Sequence, residues 1–433
     1  MTNNNVRGDK RSQSALTEDL NWVGNLKRVR EAGPGLDEKS FTQTGDSTKA
    51  VHAGTTDDPR TGAVGTPIYQ TSTFLLDEDQ YQSIEEGHAR DRFIYTRYGN
   101  PNQWAVQQKI AALENAESAL VFSSGMAAIT AAVMALVDRG GHVVASNELY
   151  GGTHSLFNSD FPNWGMSTTY VDPKDFEAIE AAIQPNTQVL YFEALTNPLL
   201  KLTDLEKLVA LGKKHNLRVI IDATFVTPIS CRPLDWGVDL VVHSASKYLN
   251  GHSDLIAGVV VGSRKLVDMV WPKLLNFGGN LDPHASYLLE RGLKTLSIRM
   301  KAHEESAYAL AQYLENHKQI KQVIYPKLAS YPDAELALKQ LKLGGGMISF
   351  VVDGGDQAAL NLLKHLKYVK SATSLGGVES LVSLPFNSSQ ASFTSSQREK
   401  MGIYPGCVRL SVGIEDPQDL INDFEQALAK IAE

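Results

Sequence analysis

The chain has 433 residues, 42% of them hydrophobic, and a formal net charge of −8. That length exceeds what one core usually fills, so two or three domains are expected. The acidic balance argues against general affinity for nucleic acid or anionic membrane, and no run approaches the ~20 apolar residues of a membrane helix.

Residues 1–50 are polar and mixed in charge, with Gly33, Pro34 and Gly35 interrupting any regular element. They read as an extended, partly disordered arm. The first twenty residues lack the apolar core of a secretory signal, and Asp9, Glu18 and Asp19 argue against an organelle-targeting segment. A cytoplasmic protein is expected. Cys231 and Cys407 form no CxxC or zinc pattern and read as reduced structural thiols; no metal site is expected. Residues 51–100, rich in Gly, Pro, Thr and Tyr, read as loops.

Beyond Pro101 helices and short apolar strands alternate. Helices are expected over 103–115, Met126–Val137, Phe176–Ile183 and Leu202–His215. Strands are expected at Ala119–Phe122, His142–Ser146, Val189–Phe192, Arg218–Ile221, Val238–His243 and Ala257–Val261. Short apolar runs separated by helices fit the buried strands of a parallel sheet, hence an α/β core. From about Ser297 the texture changes. A helix over Met300–Leu314 precedes strands at Val323–Tyr325, Met347–Val352 and Val408–Val412, and Asp416–Ile431 closes the chain as a helix. The expected division is an arm and loop segment over 1–99, an α/β domain over 100–298 and a smaller α+β domain over 299–433.

Lys247 follows the apolar strand Leu240–Val242, at the edge where open α/β sheets bind ligands. A lysine there can form an imine with an aldehyde, while Ser244 and Ser246 bind a phosphate. A lone lysine after a strand is more often a surface residue. Asp222 ends the strand Arg218–Ile221 at the same edge. Pyridoxal phosphate needs such an acid against its ring nitrogen, though an aspartate at a strand end is commonly a turn residue. Gly125 and Met126, in Ser-Ser-Gly-Met-Ala-Ala, open a helix whose free N–H groups suit a phosphate; many βα turns look alike. Tyr150 follows another strand and can stack on a flat ring or simply pack. Arg409 lies inside an apolar strand and suits either a substrate carboxylate or a structural ion pair. Dinucleotide and P-loop signatures (GxGxxG after a strand, GxxxxGK[ST]) are absent, as are HExxH and GxSxG.

Together these segments resemble the Cys/Met-metabolism family of pyridoxal-phosphate enzymes. The resemblance runs from about Thr48 to the C-terminus. It is carried by Thr61–Phe74 (TGAVGTPIYQTSTF), Tyr95–Pro101 (YTRYGNP), Ser123–Ala128 (SSGMAA) and Tyr150–Thr153 (YGGT). Glu193 with Asn197-Pro198, His243–His252 (HSASKYLNGH), Ser374–Gly377 (SLGG) and Arg409–Gly413 (RLSVG) complete it. The resemblance implies the aminotransferase-like fold type I: a large domain with a mostly parallel sheet, a smaller C-terminal α+β domain and an N-terminal arm. It implies Lys247 as Schiff-base lysine and proton carrier, and Asp222 against the pyridine nitrogen. Tyr150 would stack on the ring and assist proton transfer, with Asn197 near the ring hydroxyl. Gly125, Met126, Ser244 and Ser246 would hold the phosphate, joined by Tyr95 and Arg97 from a neighbouring subunit. Ser374 and Arg409 would hold the substrate carboxylate. A site shared between subunits implies an obligate dimer, and the family is usually a dimer of dimers, a homotetramer.

The leucine of Ser374-Leu-Gly-Gly resembles the γ-acting branch. Cystathionine-handling members often carry glutamates where this chain has Ile94 and Thr373. Uncharged residues there favour a substrate with an uncharged distal end. Three departures remain: Gly152 where many bacterial methionine γ-lyases have cysteine, Leu274–Leu275 in the region of their Lys-Asp pair, and Ser388–Ala391 where relatives read Met-Thr-His. The expected activity is α,γ-elimination, closest to methionine γ-lyase. The alternatives are γ-replacement on O-acylhomoserine (a sulfhydrylase or cystathionine γ-synthase) and cystathionine γ-lyase.

Overall fold

In a computed structural model, described for residues 41, 43–55, 58, 61–388, 391 and 394–431, two sheets carry the fold. The first has seven strands: β1 Ser118–Phe122, β2 His142–Ser146, β3 Ser167–Val171, β4 Thr187–Glu193, β5 Arg218–Asp222, β6 Leu240–Ser244 and β7 Gly258–Gly262. Their order is β1-β7-β6-β5-β4-β2-β3, and all but β7 run in one direction. This is the expected mostly parallel sheet, with one reversal: the strand read at Ala257–Val261 is antiparallel to both neighbours.

Both faces of this sheet are buried except at the edge strand β3, which is why the inner strands are largely apolar runs. Val121, Val144, Phe192, Ile221 and Val241 pack on one face with helices Pro101–Leu113, Leu205–Lys214 and Pro283–Leu293. Their alternating neighbours Leu120, Val143, Tyr191, Ile220 and Val242 pack on the other with Gly125–Leu136 and Arg264–Phe277.

The second sheet contains β8 Ile320–Ile324, β9 Met347–Val352, β10 Lys370–Ser371, β11 Leu381–Ser383 and β12 Cys407–Ser411, ordered β10-β11-β12-β9-β8. Its Ile348, Phe350, Val408 and Leu410 meet Leu362, Leu420 and Phe424 in a separate core. Arg409 pairs across the ladder with Ser349 and alternates away from that core. Helix Leu296–Glu315 joins the two parts: Leu296 and Met300 sit in the first core, Ala307, Leu310 and Leu314 in the second.

Several expectations need correction. Residues 46–52 and 78–85 are helical rather than arm and loop. The second of these has no apolar stripe; a capping box, in which Asp77 accepts from Gln80 N and Gln80 from Asp77 N, starts it instead. The rest of the N-terminal arm, 1–40, lies outside the described residues. The helix read from Leu202 begins at Leu205, because Asp204 accepts from Lys207 N and so caps it there. Strand β3 escaped the sequence reading because it is a partly exposed edge strand (Ser167-Thr-Thr-Tyr-Val171) with no apolar run. No described helix is long and apolar enough to cross a membrane.

Candidate active site

The carboxyl ends of β4, β5 and β6 and the helix opening at Gly125 border a cavity of about 850 Å³. Gly125, Met126, Tyr150, Asn197, Asp222, Ser244, Ser246, Lys247, Ser374 and Arg409 all line it. Tyr95 and Arg97 do not: both are exposed, and Arg97 stacks over its own neighbour Tyr98.

Lys247 is half-buried, and its Nζ donates to Ser374 Oγ at 2.9 Å. Burial, then the Arg409 guanidinium, lowers its pKa, so the free amine is reached at a lower pH than in water. Ser374 has φ of +86°, a conformation that non-glycine residues rarely adopt and that clusters at functional sites. Arg409 is 7% exposed yet meets no carboxylate among the described residues. Its Nη1 donates to Asn197 Oδ1 at 3.2 Å and its Nη2 to the Ser374 carbonyl at 3.0 Å, while Nε has no partner. Burial pulls its pKa down to about 10. A buried cation with neutral neighbours and an idle donor suits an incoming anion.

Asp222 is 9% exposed and accepts from Thr224 N at 2.9 Å. Burial raises its pKa; its contacts with Thr224 and the charge of His243 work the other way. At the start of the helix Gly125–Leu136, Ser124 Oγ caps it by accepting from Ala127 N at 3.1 Å. Small residues are required here. A Cβ on Gly125 would lie 2.9 Å from Ser244 Cβ, and one on Gly258 would lie 2.1 Å from the Ser124 carbonyl oxygen. Gly152 likewise leaves room for the Tyr150 ring, which a Cβ there would meet at 2.5 Å.

The sequence reading gave no role to Thr224, Phe225, Ser253, Ile256 and Glu379, which also line the cavity, and quoted Glu193 only within a motif. For Glu193 a signal existed: like Asp222, it is an acid ending an apolar strand, and the two are paired in register. Thr224 carries no such signal: an uncharged residue just beyond β5, it donates its N–H to Asp222 at 2.9 Å and accepts the Ser244 N–H at 2.8 Å.

The donor set fits a flat, phosphorylated ring: small residues at a helix start, an acid without a cation partner, and a lysine of lowered pKa at one sheet edge. Fold and site together define a pyridoxal-phosphate enzyme with a mostly parallel sheet. The chain belongs to the Cys/Met metabolism PLP-dependent enzymes, a family whose sequence model matches residues 47–429. It is 40% identical over 402 residues to L-methionine gamma-lyase of Treponema denticola, covering 92% of this chain and all of that one. To cystathionine gamma-lyase of Bacillus subtilis it is 43% identical over 385 residues, covering 89% and 99%. The crystal structure of cystathionine gamma-lyase from Lactobacillus plantarum complexed with L-serine is similar over 90% of this chain and all of that one, with a TM-score of 0.84 and 38% identity.

Proposed function

We propose that this enzyme eliminates the γ-substituent of a sulfur amino acid, with methionine the preferred substrate, releasing 2-oxobutanoate, ammonia and methanethiol. The carrying observation is an uncharged stretch of the cavity wall: Leu255, Ile256, Leu381, Ala372 and Thr373 offer no charge to a distal ammonium, and Glu379 is the one acid beside them among the described residues. The activity named for the Treponema denticola relative supports the same choice.

Bound pyridoxal phosphate supplies an electron sink that makes the substrate's α- and β-protons removable. Lys247 anchors it through the side-chain amine and then carries protons at Nζ, steered by Ser374 Oγ. Asp222 would keep the ring nitrogen protonated, Tyr150 would stack on the ring, and Asn197 would lie near the ring hydroxyl. Gly125, Met126, Ser244 and Ser246 would hold the phosphate, and Tyr95 and Arg97 would reach the phosphate of a neighbouring subunit. Arg409 grips the substrate carboxylate with its planar fork, helped by Ser374. This reading carries with it a homotetramer built as a dimer of dimers and a cytoplasmic location. It also carries a division into 1–99, 100–298 and 299–433, with the last junction inside helix Leu296–Glu315.

A second reading rests on Glu379, a carboxylate in the cavity wall that accepts from Ser253 Oγ. It offers an anionic partner for the distal ammonium of cystathionine, as a cystathionine γ-lyase requires. A substrate panel decides. Purified enzyme given methionine should release methanethiol and 2-oxobutanoate; much faster turnover of cystathionine overturns the choice. A thiol supplied with O-acylhomoserine tests for γ-replacement, and light scattering tests the tetramer.

A further inference from the structure

Glu193 closes β4 as Asp222 closes β5, and the parallel register sets them side by side. Glu193 is 5% exposed, lines the cavity, and meets no cation among the described residues. A buried carboxyl needs hydrogen-bond donors. Here they are two main-chain groups: Tyr150 N donates to Oε1 at 2.6 Å, and Asn197 N donates to the same carboxyl. Tyr150 and Asn197 belong to different segments, one following β2 and the other following β4. Asn197 continues the connection, accepting from Arg409 Nη1 at 3.2 Å, while Arg409 Nη2 donates to the Ser374 carbonyl at 3.0 Å.

We propose that Glu193 is a positioning residue: one carboxyl fixes the main chains of Tyr150 and Asn197 together, so the seat of the ring and the clamp for the substrate carboxylate are set as a unit. Nothing in this role requires Glu193 to touch the reacting atoms. Burial and the neighbouring Asp222 raise its proton affinity, and the two N–H groups oppose that rise. An acceptor is needed at this point, and an apolar side chain of equal size leaves two buried N–H groups unmet.

The inference rests on the seat assigned to Tyr150 and Asn197. Borohydride labelling of wild type and Lys247→Ala tests separately whether the cofactor occupies this cavity. For Glu193 the measurements are the dissociation constant of pyridoxal phosphate from refilled apoenzyme, KM and kcat for methionine, and the melting temperatures of apo- and holoenzyme. Glu193→Gln keeps one acceptor oxygen, and Glu193→Ala keeps none. Cofactor dissociation constants should rise about tenfold and about a hundredfold respectively, following loss of one and two buried acceptors. KM should rise in the same order, and the gap between holo and apo melting temperatures should narrow. If Glu193→Ala does not fold, Glu193→Gln decides. The proposal is overturned if folded Glu193→Gln binds the cofactor and methionine as wild type does. Equal falls in both melting temperatures, or failure of Glu193→Gln to fold, also overturn it, because the residue then serves the fold rather than the seat.

Discussion

Replacing Arg409 by methionine separates a ligand-binding cation from a structural one. The side chain is 7% exposed and bonded only to neutral acceptors. Burial pulls its pKa from the ordinary guanidinium value down to about 10, which corresponds to about 3 kcal/mol of destabilisation of the charged form. Methionine removes that cost and fills most of the space, while the Asn197 and Ser374 oxygens lose bonds of about 1 kcal/mol each. The two effects nearly cancel, so the apoenzyme should keep its stability to within about 2 kcal/mol. A structural buried ion pair behaves otherwise, losing about 3–5 kcal/mol when one partner is removed. Turnover tells the opposite story. Two charged hydrogen bonds to a carboxylate, about 1.5–3 kcal/mol each, correspond to about 10²- to 10⁴-fold in kcat/KM. The assays are calorimetry of the apoenzyme at fixed scan rate and steady-state release of 2-oxo acid. Loss of more than about 3 kcal/mol with kcat/KM within tenfold of wild type refutes the reasoning.

The same substitution should move the acid limb of the rate profile. Arg409 helps to lower the Lys247 pKa, so removing the guanidinium lets the amine keep its proton to higher pH, and the limb shifts upward. Arg409→Lys, which preserves the charge, should leave the limb in place; pH profiles of kcat for the two variants check this. Gly258→Ala drives a Cβ into the Ser124 carbonyl at 2.1 Å and should destabilise by about 1–3 kcal/mol while loosening cofactor binding, read by calorimetry and cofactor titration. Glu114→Ala strips the buried His243 of a hydrogen-bond partner at 2.6 Å and should cost about 1–3 kcal/mol. Breaking the exposed Lys321–Asp353 pair should change nothing measurable in the same denaturation assay.

The large sheet was legible because both faces are buried: every strand from β4 to β7 is an apolar run with a sharp end. The direction of β7 was not, since Gly258-Val-Val-Val-Gly reads alike in parallel and antiparallel pairing. Helix Glu78–Glu85 escaped for a related reason, because polar caps start it and no apolar stripe marks it. Within the site, Lys247 and Asp222 stood out as charges at the ends of apolar strands. Ser253, Ile256 and Glu379 did not, because chain folding alone brings them to the cavity wall. Their segments carry ordinary loop chemistry.

The reversal of β7 has a kinetic meaning. Because β7 turns back beside β6, Ser244 pairs with Gly258, and the thirteen residues between them leave and rejoin the sheet at one point. Ser246 crosses the neck of this loop, accepting from Ala257 N at 2.9 Å and donating to Ala257 O at 3.3 Å. The amine of Lys247 is therefore tethered on a short leash whose closure entropy was spent during folding. On the assignment proposed above, an amine released from the cofactor would stay at the site, at a local concentration far above any bulk value. Its recapture at the end of a cycle would then be intramolecular, with no wait for diffusion.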